Sequence, residues 1–315
     1  MSLVSSLVGC LLFEQGLRVY LFGWHAFSYR DMYGMHTLGE SDLLQPSNIR
    51  EILFELKPGL DESFKLVPFV TNSQGLRDRE YTPAKPAHTF RVAVLGDSFT
   101  MPAGVRIEDA YHSRIEDELN ASHKELHWEF VNFGVSGYQL AQYLAVLKEK
   151  AIRYDPDLIL IGFCSLNDQR VFSVDGLAFP YVPHRAKNGF WTSYAHLLIK
   201  AGIGARLDPP RPEKRVPSSE QERYLGAVFG QIHDAARGIP VVVAYLSLVH
   251  PVPPAIESLA RSGGLHFVDL SGPFQSKRQQ DYWVHPFDKH PDAEANRLFA
   301  EQLKRYLEAE RLLPG

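Results

Sequence analysis

Arg91-Val92-Ala93-Val94-Leu95-Gly96-Asp97-Ser98-Phe99-Thr100 decides how the rest of this chain is read. An apolar β-type run ends in a glycine turn that presents one serine. Gly96 permits the tight turn, and Asp97 is placed to hydrogen-bond across the loop. In a parallel α/β sheet, reactive groups gather beyond the carboxyl ends of the strands. Ser98 stands just past such an end. Taken alone, Gly-Asp-Ser is an ordinary turn tripeptide, so its meaning depends on what surrounds it.

On either side of this stretch, strand and helix patterns alternate from Thr89 onward. Phe90 to Leu95 reads as a strand. Asp109 to Asn120 has helical spacing, with Tyr111, Ile115 and Leu119 on one face. Glu129 to Phe133 reads as a strand and Tyr138 to Arg153 as a helix with Leu140, Tyr143, Leu144 and Leu147 as its apolar stripe. Leu158 to Phe163 is a continuous apolar run, as in a strand buried on both faces. Pro240 to Leu246 is another, and Leu265 to Leu270 a shorter one. Ala293 to Glu310 closes the chain with a helix. This succession predicts an α/β fold with a central parallel sheet and helices on both faces. Between Val171 and Pro217 the pattern breaks. A helix over Thr192 to Ala201 and a loop over Asp208 to Pro212 are expected there, as a lid, a substrate wall or a plain surface excursion.

Upstream, residues 31–88 read as a small β-rich extension. Ile52 to Leu56 and Phe64 to Val70 alternate as short strands, and Thr71 to Gly75 reads as a turn. Residues 1–30 are mostly apolar. Leu3 to Phe13 and Val19 to Trp24 are interrupted by Glu14 and Arg18, which leaves two readings, a membrane anchor or a helix packed on the domain. Leu7-Val8-Gly9-Cys10 resembles a lipoprotein cleavage box, with few residues before it.

The chain has 315 residues, 45% hydrophobic and 22% charged, with a net charge of -4. That composition is ordinary for a globular protein and offers no basic field for nucleic acid. Two cysteines, Cys10 and Cys164, exclude a disulfide framework and a CxxC knuckle. Cys164 ends an apolar run and reads as a packed thiol. His184, His196, His233, His250, His266 and His285 show no paired ligand spacing, so no metal and no cofactor are expected.

Three more segments carry chemistry. Asn132-Phe133-Gly134-Val135-Ser136-Gly137-Tyr138 follows a strand end and opens a helix, and its glycines let a backbone N–H approach a ligand oxygen. Gly162-Phe163-Cys164-Ser165-Leu166-Asn167-Asp168 ends another strand, and the Asn167 amide suits a developing oxyanion. Asp288-Lys289-His290-Pro291 precedes the last helix. A histidine with a carboxylate two residues away can be oriented by it and act as a general base. His285 is the nearby competitor.

Together the four segments resemble the SGNH, or GDSL-type, hydrolase superfamily, in that family's order, over roughly Arg91 to Leu307. The resemblance implies a flavodoxin-like three-layer α/β/α fold. It implies Ser98 as nucleophile, His290 as base and Asp288 as orienting acid. It implies an oxyanion hole from the Ser98 N–H, the Gly137 N–H and the Asn167 amide, with Gly134 as the other candidate glycine. One departure matters: the family's usual last block is Asp-x-x-His, whereas Asp288 and His290 have one residue between them and Phe287 holds the usual acid position. Some branches, polysaccharide-modifying ones included, use the shorter spacing. A backbone carbonyl is the alternative orienter.

The function expected on this resemblance is a serine esterase acting on small acyl esters, O-acetyl foremost, on a small molecule or a carbohydrate. An O-acyltransferase modifying a polysaccharide is one alternative, and a non-catalytic carbohydrate-binding or assembly protein another. The expected location is the bacterial cell envelope, with membrane association through residues 1–30, or otherwise the cytoplasm.

Overall fold

A computed structural model describes residues 3–35, 42–164, 167–181, 192–199, 218–248, 252–286 and 288–314. The amino-terminal part begins with helix α1 (Leu3–Phe22) and the short helix α2 (Tyr29–Tyr33). Two small antiparallel pairs follow, β1 (Leu44–Pro46) with β2 (Phe54–Leu56), and β3 (Asp61–Phe64) with β4 (Val67–Val70). The sequence predicts one strand over Phe64 to Val70; the structure folds that stretch back at Lys65 and Leu66, whose φ angles are 52° and 68°. This two-residue reversal lacks the Asn-Gly or Asp-Gly that normally announces it. The expected turn at Thr71 to Gly75 is present, with Gly75 at φ 76°.

The central sheet contains β5 (Thr89–Gly96), β6 (His127–Asn132), β7 (Leu158–Cys164), β8 (Val241–Leu246) and β9 (His266–Asp269). All neighbours are parallel, in the order β6-β5-β7-β8-β9. That is the doubly wound flavodoxin-like order. Because strand side chains alternate, Val92 and Val94 enter one layer and Ala93 and Leu95 the other. The first layer is closed by α3 (Tyr111–Ser122) and the last helix, Ala293–Ala309, through Ile115, Leu119, Phe299 and Leu303. On the opposite side lie α4 (Leu140–Glu149), Ser219–Ala235 and Pro254–Ser262, through Leu147, Phe229 and Ile256. The predicted elements are therefore present, their ends shifted by a few residues.

The extension shares this second layer. Leu44, Ile52, Leu56, Phe64 and Phe69 belong to the same buried cluster as Ala93 and Leu95. Arg77, fully buried beneath the Phe69 ring at 4.6 Å, donates to the carbonyls of Met101, Pro102 and Val105 at 2.7, 2.6 and 2.7 Å. One guanidinium thus ties the extension to the loop that follows Ser98.

Of the predicted insertion, residues 171–181 and 192–199 are described, and 194–199 form helix α5. The Asp208 to Pro212 loop lies outside the described residues. Glu14 and Arg18, which interrupt the apolar run, both face α5. Glu14 accepts from the Tyr194 and Ala195 N–H groups at 2.9 and 3.1 Å and from the Ser193 hydroxyl at 3.0 Å. Arg18 donates to the Thr192 carbonyl at 2.9 Å. The amino-terminal half of α1 is unlike this: Leu3, Leu7, Leu11, Leu12 and Phe13 are exposed. The stretch Leu3–Phe27 is long and apolar enough to cross a membrane. The chain continues through α6 (Ser219–Ala235) and α7 (Pro254–Ser262) to the hairpin β10 (Trp283–His285) and β11 (Asp288–Pro291), then α8 (Ala293–Ala309).

Candidate active site

Ser98 sits in the turn after β5 and is only 5% exposed, so it is a buried serine at the base of a cavity and not a surface turn residue. Met101 N–H donates to the Asp97 carbonyl at 2.8 Å and Ala103 N–H to the Ser98 carbonyl at 2.9 Å, which winds the loop tightly. Gly96 serves differently from its sequence reading. Its φ is not positive; a Cβ there would collide with the Thr100 side chain, and one at Gly162, its partner across the sheet, would do the same. The two glycines open a slot in which Thr100 is buried, its hydroxyl 3.1 Å from the Tyr111 hydroxyl.

Asp97 does bridge the loop. Its carboxylate accepts from the Phe99 N–H at 2.9 Å and from the Asn167 amide at 2.5 Å. Burial raises its carboxyl above the ordinary value, against the pull of those two donors. Asn167 is held by a turn after β7, where Asp168 Oδ2 accepts the Cys164 N–H at 2.7 Å. Burial, and then the Asp97 charge, push the Asp168 carboxyl well up. With one amide hydrogen on Asp97, Asn167 has a second to offer a ligand.

Asp288 and His290 lie on β11. Alternate residues of a strand share a face, so the one-residue spacing sets both side chains on the same side. Asp288 Oδ1 is hydrogen-bonded to His290 Nδ1 and also accepts the His290 backbone N–H at 3.2 Å. The other oxygen pairs with Lys65 Nζ, which is 3.2 Å from His290 Nδ1. Burial pushes the Asp288 carboxyl up, but the His290 bond and charge and the Lys65 ammonium outweigh it and hold the carboxyl well below the usual range. The His290 ring meets the Phe99 ring edge-on with centroids 5.9 Å apart, next to Ser98 in the chain.

Ser98, Asn167, Asp288 and His290 all line one open cavity of about 500 Å³. No hydrogen bond joins Ser98 to His290. His285, the competing histidine, also lines the cavity, but its ring stacks on Phe22 at 4.8 Å and its Nε2 lies 3.3 Å from the Leu21 carbonyl. Burial lowers its basicity. Neither candidate glycine lines the cavity. Gly134 donates its N–H to Asn132 Oδ1 at 2.8 Å, while Gly137 has φ 89° and lies beside Phe54. Cys164 is buried in the wall and Cys10 is exposed, and the two are not joined in a disulfide. Among the described residues no cluster of three or more His, Cys, Asp or Glu is arranged for a metal ion.

Three segments outside the motifs also contribute to the cavity. Lys65 comes from the β3–β4 turn, Met35 from the segment after α2, and Thr192, Tyr194 and Leu197 from α5 and its approach. No turn signal marks Lys65 and Leu66. The helix expected over Thr192 to Ala201 is present as α5, but nothing in its own sequence places it against Glu14 and Arg18.

Among solved structures, a two-domain esterase (CEX) active on acetylated mannans is similar at 13% identity and TM-score 0.46, over 72% of this chain and 51% of that one. The present chain thus spans about half the length of that protein. Axe2, an acetylxylan esterase from Geobacillus stearothermophilus, is similar at 14% identity and TM-score 0.43, over 69% and 93%. The psychrotrophic esterase EstA from Pseudoalteromonas sp. is similar at 12% identity and TM-score 0.41, over 71% and 99%. No curated protein matches the chain. The GDSL-like lipase/acylhydrolase family matches residues 94–298, which contain the serine turn, the Asn167 turn and the Asp288–His290 strand, and the chain belongs to that family.

Proposed function

We propose that this protein is a serine esterase that hydrolyses small acyl esters, O-acetyl foremost, through Ser98, His290 and Asp288. The observation that carries the reading is that the serine at the end of β5 and the Asp288–His290 pair on β11 line the same cavity. His290 Nε2 takes the Ser98 proton as the hydroxyl oxygen attacks the ester carbonyl carbon. The tetrahedral oxyanion is met by the Ser98 N–H and the Asn167 amide. Gly137 is the third donor by its place in the motif, since the Gly134 N–H is committed to Asn132. Each such donor is worth about 3 kcal/mol in the transition state. The proton on His290 passes to the leaving alkoxide, and water, deprotonated by the same imidazole, releases the acid. Asp288 holds Nδ1 protonated so that Nε2 remains the base.

The carbohydrate alcohol is carried over from the family branches that share the short Asp-x-His spacing. Association with a membrane is proposed from the exposed apolar side chains of Leu3 to Phe13. The charges at Glu14 and Arg18 do not oppose it, because both are engaged by α5.

Acetate release from p-nitrophenyl acetate and from acetylated xylan and mannan tests the function, with Ser98→Ala beside the parent. The variant is expected to fold and to lose turnover by at least about 1000-fold. Labelling of Ser98 by a phosphonate is expected in the parent. A folded Ser98→Ala protein as active as the parent would end the esterase reading.

A further inference from the structure

Lys65 is a charged cavity group whose presence no motif foretells. Its side chain is 12% exposed and that of Asp288 is 14%, so the ion pair between them lies away from bulk water. We propose that Lys65 is a positioning residue, which by pairing with the outer oxygen of Asp288 holds that carboxylate in the orientation that serves His290. The inference rests on the esterase reading above and adds to it a role for the amino-terminal extension.

The backbone supports a specific placement. Lys65 and Leu66 form a two-residue reversal with both φ angles in the left-handed region, at 52° and 68°. Neither is Gly, Asn or Asp, so the conformation is strained and must be held by its surroundings. The holding contacts are evident. Lys65 N–H donates to the Gly34 carbonyl at 2.9 Å, and Leu66 packs on the buried Phe22, Met32 and Tyr194. A Cβ at Gly34 would collide with the Ser63 carbonyl, so α2 closes tightly on the hairpin. The two arms carry the buried Phe64 and Phe69. The reversal sends Leu66 into one apolar cluster and Lys65 into the cavity.

The chemical consequence has two opposing parts. A carboxylate this buried needs a counter-charge while His290 is neutral, and Lys65 supplies it. That keeps Asp288 ionised and limits its rotation, so His290 Nδ1 keeps its acceptor. Against this, the ammonium is 3.2 Å from His290 Nδ1 and repels the imidazolium formed during acyl transfer. The first part prevails, because Lys65 is hydrogen-bonded to Asp288 directly and the carboxylate then carries one cation on each oxygen, Lys65 on Oδ2 and the imidazolium on Oδ1, which offsets their mutual repulsion. Removing Lys65 therefore slows the reaction.

The test is a double-mutant cycle on the full chain with p-nitrophenyl acetate, using the parent, Lys65→Met, Asp288→Asn and both together, with Ser98→Ala as reference. Lys65→Met is expected to lower kcat by about 10- to 100-fold, the range for one lost charged hydrogen bond, with KM changed far less. In the Asp288→Asn background the same change is expected to cost less than about twofold, because the residue through which Lys65 acts is gone. Lys65→Arg keeps the cation and is expected to retain more activity than Lys65→Met. An unchanged or raised kcat for Lys65→Met, or full losses that multiply in the double variant, would overturn the inference. If Lys65→Met fails to fold, Lys65→Gln takes its place in the cycle with the same expected pattern. Ester turnover by Ser98→Ala equal to the parent's would instead remove the esterase reading, and the inference with it.

Discussion

Replacing Glu14 by alanine asks whether the charges inside the apolar amino-terminal helix exist to hold the cavity wall. The Glu14 carboxylate accepts three hydrogen bonds at the start of α5, from Ser193, Tyr194 and Ala195, and pairs with Arg18 at 3.1 Å. Alanine removes a cap, worth about 1 kcal/mol, and charged hydrogen bonds, worth about 1.5–3 kcal/mol each before overlap. These terms share one carboxylate and do not add, so a local cost of about 2–3 kcal/mol is expected. That corresponds to amide exchange at Tyr194 and Ala195 faster by about 30- to 150-fold, with exchange in β5 and β7 unchanged. Because Thr192, Tyr194 and Leu197 line the cavity, KM for an ester is expected to rise with kcat less affected. Glu14→Gln, which keeps an acceptor, falls between. Parent-like exchange at both amides in Glu14→Ala would show that α5 is held by something else.

Three further outcomes follow from the site. His290→Ala is expected to reduce kcat more than Asp288→Asn, since the first removes the base and the second only its orienter; the opposite order in steady-state kinetics would mean the orienter is misassigned. Asp288 has a depressed native carboxyl value, so its contribution to folding is complete above the unfolded value near 4 and is lost as the pH falls through the native one. The gap in melting temperature between the parent and Asp288→Asn is therefore expected to hold from pH 7 to about 5 and to narrow below about 4; a gap that widened on acidification would contradict this. Gly96→Ala drives a methyl into Thr100 and is expected to cost about 1–3 kcal/mol, visible as a lower melting temperature; an unchanged melt would refute the slot assigned to this glycine.

Much of the hydrolase-like region was legible because its signals are local. Continuous apolar runs such as Leu158 to Phe163 mark strands buried on both faces, and their alternation with helical stripes implies parallel connections. The serine turn and the Asn167 turn sit at the ends of expected strands, where position predicts a shared edge, whereas the Asp288–His290 pair lies on a separate hairpin strand that the sequence reads only as the approach to the last helix. Even the short Asp-x-His spacing has a local explanation once Asp288–Pro291 is a strand, because residues two apart then face the same way. The role of Gly96 was misread for a matching reason. A tight turn is a local property, whereas the need for space arises only when Thr100 folds back between two strands.

The amino-acid sequence by itself determined the layer order of the domain and the residue types at its candidate site, since hydrophobic period and turn chemistry are encoded by near neighbours. Tertiary structure alone decided what surrounds that edge. Lys65 reaches Asp288 across a separation of 223 residues, Glu14 reaches Tyr194 across 180, and Arg77 grips the loop after Ser98 from a segment with no motif. Such pairings bring opposite charges or unpaired carbonyls together only after the chain has collapsed, and nothing in the spacing of either partner announces the other.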